Sequence, residues 1–339
     1  ELLKMREAMI ARGPDGAGSW ISPDRRVGMA HRRLAIIDIG SSGAQPMSLC
    51  DDAGNMLLQI SYNGEIYNFR ELRAELASQG CVFKTHSDTE VLLHLYSRYG
   101  INMVKHLRGM FAFVIWDEVK KGMLLARDPY GIKPLYYNDD GRSLRIASQV
   151  KALLAGGVIS TSPDPAGHIG FFTLGYVPEP HTMYQNIQCL PAGSTLWLSS
   201  GGQKSLNVYF SFQAEMARLE SVPLETSAKQ LHAALIETVK YHLISDVPVG
   251  VFLSAGLDSA SIMALVSEVA VEQMETITLR FDEFENSSRD EAPLAAEIAK
   301  LYNTRHQTRT VKSTDFIREK DDLLKAMDQP TIDGVNTYF

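Results

Sequence analysis

The stretch VPVGVFLSAGLDSAS, residues 247 to 261, constrains the fold of this chain more than any other. Its apolar half reads as a strand buried on both faces, and Ser254, Ala255 and Gly256 form a small-residue turn. Beyond the turn, Ile262, Leu265, Val266 and Val269 recur at helical spacing and are expected to point inward. A helix from about Thr226 to Leu243 precedes this unit; the strand TITLRF and a helix near 291 to 302 follow it. Strand and helix alternating at this spacing call for a parallel sheet with crossover helices. The turn also carries chemistry, because small residues let a ligand approach the backbone and the helix start offers unpaired N–H groups to an anion. No GKS or GKT follows, so this is not a Walker A loop, and it is not a GxGxxG dinucleotide turn. Taken alone, the same residues are satisfied by a tight strand-to-helix turn with Asp258 near the helix N-terminus.

Up to about residue 200 the rhythm is different. Short strands are expected at MAHRRLAIID (29 to 38), MLLQISY (56 to 62), MFAFVIWD (110 to 117) and LRIAS (144 to 148). Two helices interrupt them. One follows Asn68, with Glu71 at capping-box spacing and Gly80 as the stop, and one follows Ser87, with Glu90 three residues on. This mixture suggests an α+β layered domain. Residues 199 to 226 turn polar and turn-rich, which places a boundary there. A chain of 339 residues that is 45% hydrophobic has enough apolar material for two cores, so the expected domains are 1–205 and 220–339.

Bulk properties exclude several classes. The 33 basic residues are scattered and the net charge is -7, so there is no electrostatic footprint for nucleic acid. No apolar run is long enough to span a bilayer. Cys50, Cys81 and Cys189 lack the close spacing of zinc or redox pairs, which fits a reducing cytoplasm.

RGPDGAG at 12 to 18 and HRRLAIID at 31 to 38 say little separately. In order, however, the chain carries RGPDGAG, HRRLAIID, QPM, SYNGEIYN, SDTEVLL, LRGMFAF and RDPYGIKPLYY. This series resembles the class II glutamine amidotransferase domain of glutamine-hydrolysing asparagine synthetases, and SAGLDS resembles the SGGLDS loop of PP-loop ATP pyrophosphatases, with Ala255 adding one methyl. The resemblance implies an N-terminal-nucleophile αββα sandwich followed by an incomplete doubly wound α/β domain. It implies an oxyanion hole at Asn63 and Gly64, a carboxylate clamp at Arg33, and acids for the substrate amine at Glu65 and Asp88. In the second domain it implies ATP contacts from Leu253, Ser254, Gly256, Asp258, Ser259 and Leu279, with Asp258 helping to hold magnesium against pyrophosphate. Asp328, Asp333 and Thr337 in DQPTIDGVNTYF match a segment that helps to form the acceptor pocket, although DQP and IDG are also ordinary turn chemistry. The substrates so implied are glutamine, aspartate and ATP, the cofactor is Mg2+, and a homodimer is compatible with the family.

Two departures stand out. The family's nucleophile is a cysteine at the mature N-terminus, whereas residue one here is Glu1. The expectation is therefore a chain cut at both ends, inactive as a glutaminase and marginal in solution, with the cysteine and first strand upstream. Gln149 stands where the family usually has glutamate. Relatives of the same plan close β-lactam rings or amidate polysaccharide precursors, and an inactive homologue can serve as a scaffold, so the acceptor stays open at this point.

Overall fold

The computed structural model describes residues 1–218 and 224–332. They fall into two compact units, Glu1–Leu219 with Met327–Phe339, and Glu220–Ala326. The first is built on a six-stranded antiparallel sheet. From one edge to the other its strands are Lys204–Val208, Ser194–Ser199, Gly122–Arg127, Gly109–Asp117, Met56–Ile66 and Met47–Cys50. The long central pair, Met56–Ile66 against Gly109–Asp117, runs in register from Leu58 opposite Asp117 to Ile66 opposite Gly109.

Alternation along those two strands builds the layers. Ile60, Tyr62, Phe111, Phe113 and Ile115 are buried, and the Tyr62 hydroxyl reaches Asp88 at the start of helix Asp88–Tyr99, which lies on that face. The opposite face meets a second layer of strands. Val27, Met29 and Trp116 form one inter-sheet cluster, and Ala112, Leu125, Leu135, Leu190 and Leu196 form another. Helices Leu2–Glu7 and Val150–Ala155 close the far side through Met5, Val150, Leu153 and Ile187. Helix, sheet, sheet, helix is the αββα arrangement.

The second unit holds a three-stranded parallel sheet ordered Gly250–Phe252, Glu275–Phe281, Arg305–Val311. Its core gathers Val239 of helix Leu224–His242, Leu253, Met263 and Val266 of helix Leu257–Val269, and Ala295 and Ala299 of helix Ala292–Leu301. Among the described residues no helix is long and apolar enough to cross a membrane.

Several local expectations are corrected. The strand expected over 29–38 stops at Arg33, and the chain then turns through Asp38 at φ 52°. Asn68 makes no capping hydrogen bond; its amide instead donates to the His106 carbonyl and its oxygen accepts from Arg108 N–H, both at 2.9 Å. Glu90 reaches past Ser87 to accept from the N–H groups of Lys84 and Thr85. Ile262 is exposed, and Met263 takes the core position, because the apolar stripe of that helix is wide and one residue's rotation decides which flank is covered.

Candidate functional site

Arg33 ends its strand and sends its guanidinium into the loop that follows. Nη1 donates to the Gly40 carbonyl at 2.7 Å, and Nη2 donates to the carbonyls of Ile37, at 3.2 Å, and Asp38. Of five donors, two are left without a protein acceptor among the described residues. Asn63, Gly64 and Glu65 occupy the last turns of the central strand, opposite Ala112, Phe111 and Met110. Gly64 is at φ 156°, and a Cβ there would lie 2.1 Å from the Met110 carbonyl oxygen. Only glycine allows the two strands to close at this point. Asp88 is buried just inside the helix that Ser87 caps, its Oδ2 accepting from Tyr62 Oη at 2.8 Å and Ile66 N–H at 3.1 Å. Burial raises its pKa, and those two hydrogen bonds oppose the rise. A buried carboxylate gains from an incoming cation, whose charge offsets the cost of desolvation.

The turn after strand Gly122–Arg127 braces the same wall. Asp128 is completely buried and its carboxylate accepts four backbone N–H groups, from Tyr130, Ile132, Lys133 and Phe111. Arg127 donates to the carbonyls of Lys133, Gly131 and Leu190 and to Glu179. Its Nη1 also lies 3.0 Å from Cys189 Sγ, yet burial pushes that thiol up to about 12, the opposite of an activated nucleophile. Cys50 and Cys81 are half-buried.

In the second unit the loop after strand Gly250–Phe252 is tied internally. Ser254 Oγ and Ser259 Oγ are 2.9 Å apart, Gly256 N–H donates to Ser254 Oγ, and Ser254 N–H donates to Ser259 Oγ. Gly256 precedes a 13-residue helix and no side chain caps it, so N–H groups of the first turn are left for an anion. Asp258 is exposed at that helix start, while Leu253 is buried and Leu279 half-buried on neighbouring strands. The Thr278 hydroxyl donates to the Leu253 carbonyl and links the two strand ends. Among the described residues no cluster of three His, Cys, Asp or Glu side chains is placed to hold a metal. A magnesium ion at Asp258 would therefore draw most of its ligands from phosphate oxygens and water, which suits its chemistry.

Residues 1–210 match the glutamine amidotransferase domain family and residues 230–339 match asparagine synthase. Putative asparagine synthetase [glutamine-hydrolyzing] 2 of Methanocaldococcus jannaschii is 32% identical over the whole chain, which covers 67% of that protein. The chain belongs to the glutamine-hydrolysing asparagine synthetase family. Asparagine synthetase [glutamine-hydrolyzing] 1 of Bacillus subtilis is 34% identical over the whole chain, which covers 52% of its length. Amidase chry2 of Gibberella zeae is 31% identical over 88% of the chain and 45% of its own length. The chain thus spans about half the length of the first curated relatives it matches.

Arg33, Asn63, Gly64, Glu65 and Asp88, the residues expected to form the glutamine site, lie on one connected set of elements in the first unit. Sequence reasoning gave no role to Asp38, Gln45, Tyr62 or Asp128, which hold those elements together. Gln45 Oε1 accepts from Tyr62 N–H at 2.7 Å; the QPM triplet was its signal. Asp328, expected at the acceptor pocket, lies against helix Val150–Ala155 of the first unit. Its two carboxylate oxygens accept from Val150 N–H at 2.8 Å and Lys151 N–H at 2.9 Å, capping helix Val150–Ala155 from 177 residues downstream. Gln149 sits at that N-cap position but makes no side-chain cap, and its Oε1 is buried with no partner among the described residues. Asp333 and Thr337 lie outside the described residues.

Proposed function

We propose that the protein to which this chain belongs makes asparagine from aspartate, with ATP as activator and glutamine as nitrogen donor. The observation that carries this reading is the presence, in one chain, of a buried amine-ready carboxylate beside the Asn63–Glu65 strand and an open anion-ready turn at Ser254–Ser259. In the first unit, Arg33 holds the glutamine α-carboxylate through charged donors, Asp88 and Glu65 hold its α-ammonium, and Asn63 with Gly64 N–H stabilises the oxyanion as ammonia leaves. The thiolate that attacks the glutamine amide is none of Cys50, Cys81 and Cys189. In the second unit, an aspartate carboxylate oxygen attacks the α-phosphorus of ATP and pyrophosphate departs. Ammonia then displaces AMP from the β-aspartyl adenylate. Ser254, Gly256 and Ser259 hold pyrophosphate through hydroxyl and backbone donors, Leu253 and Leu279 flank the adenine, and Asp258 would hold magnesium. When bound, that ion neutralises charge on the phosphates.

The relative named an amidase favours a second reading in which the same plan serves another carboxylate acceptor. AMP release by the full-length protein separates the two, with aspartate and a panel of other carboxylates offered, and glutamine or ammonium as nitrogen source. AMP formed only with aspartate supports the proposal. Activity confined to another acceptor transfers the assignment to that acid, and no AMP with any acceptor points to the scaffold.

A further inference from the structure

We infer that Asp38 is a positioning residue that fixes the separation between Arg33 and Asp88, the two charges that read the α-amino acid end of glutamine. The inference rests on the glutamine reading above. Asp38 touches both arms of the site. Its main-chain carbonyl accepts from Arg33 Nη2, while its carboxylate Oδ2 accepts at 3.0 Å from the N–H of His86, two residues before Asp88. Its Oδ1 accepts from Ser42 Oγ at 2.6 Å, which folds the loop back on itself. Gly43 completes the collar: a Cβ there would lie 2.2 Å from Arg33 Nη2 and 2.6 Å from the Asp38 carbonyl.

The loop between Arg33 and Gln45 contributes little to the core, since Leu34 and Ile39 are each 58% exposed. Its shape is set by polar ties instead. Asp38 adopts φ 52°, a left-handed conformation that Asp and Asn enter more readily than other side chains and that alanine resists. A buried carboxylate at a strained residue, bonded at one end to the carboxylate clamp and at the other to the base of the amine clamp, sets a distance between two charges. Fixing that distance in advance spares a two-charge ligand the cost of ordering the site, whereas a one-charge ligand gains little from it.

The test is calorimetric titration of this chain with L-glutamine, with glutaramate, which lacks the α-amine, and with 4-aminobutanamide, which lacks the α-carboxylate. In the wild type, glutamine is expected to bind at least tenfold tighter than either analogue. Asp38→Ala is expected to weaken glutamine about tenfold while each one-charge analogue changes less than threefold. Asp38→Asn keeps the backbone conformation and one acceptor, so it should fall between and restore part of the preference; it serves as the test if the alanine variant does not fold. Uniform weakening of all three ligands, or an unchanged preference in both variants, overturns the positioning role while leaving the glutamine reading intact. A wild type that takes glutamine no better than the analogues overturns both.

Discussion

Replacing Asp128 by asparagine removes one acceptor oxygen and changes nothing else in outline. The carboxylate serves four backbone donors: Tyr130 and Ile132 at one oxygen, at 3.1 and 2.9 Å, and Lys133 and Phe111 at the other, at 2.9 and 3.2 Å. An asparagine oxygen can keep one pair, but its amide must then face two N–H groups in a completely buried site. Two orphaned donors at about 1–3 kcal/mol each give a loss of roughly 2–6 kcal/mol. In a unit of this size that corresponds to a fall in Tm of at least about 4 °C. The assay is urea unfolding followed by tryptophan fluorescence, since Trp20, Trp116 and Trp197 all belong to the first unit and report on it alone. Where the Lys133 and Phe111 pair is the one lost, the damage should also reach the proposed glutamine site, because Phe111 pairs with Gly64. A midpoint within experimental error of the wild type, at an unchanged m-value, would refute the argument that this carboxylate supports the wall.

Four further outcomes are expected. Gly64→Ala should abolish measurable glutamine binding and cost roughly 1–3 kcal/mol by thermal unfolding, because the added methyl overlaps the Met110 carbonyl. Asp88→Asn should weaken glutamine at least tenfold in calorimetry yet raise the Tm of the unliganded protein at neutral pH. The sign follows from the raised pKa: the folded state holds this proton more tightly, so the group favours folding at low pH and that contribution is lost as pH rises through the raised value. Glutamine affinity should fall as pH drops towards the same value, above the ordinary 3.8. Asp258→Asn should weaken Mg·ATP binding about tenfold with no change in Tm, since the side chain is exposed, and chelating the magnesium should erase the difference between variant and wild type. Asp328→Ala should cost about 0.5–2 kcal/mol through loss of the cap on helix Val150–Ala155, read by urea unfolding.

What the sequence made legible was local. The 56–62 and 110–117 strands declare themselves by alternation, and the Asn63–Glu65 triplet continues the first of them. Ser87 signals the helix start that presents Asp88, and the strand, turn and helix around Ser254 are contiguous. The supports were not legible, because they are single hydrogen bonds between residues far apart in the chain. Asp38 meets His86 across 48 positions, Asn68 meets Arg108 across 40, and Asp328 meets Lys151 across 177. Such bonds leave no period in the sequence. They also compete with the local signals: Asn68 had capping-box spacing, yet the neighbouring loop supplied better partners.

Residues 327–332 pack with the first unit. Gln329 Oε1 accepts from Met183 N–H at 3.0 Å and Ile332 N–H donates to the Gly175 carbonyl at 2.9 Å. With Asp328 on the N–H groups of Val150 and Lys151, this short segment is hydrogen-bonded to three separate stretches of the first unit. Three ties sharing one six-residue strap should open together, so amide exchange at Val150, Lys151 and Met183 would rise in step if the strap were released.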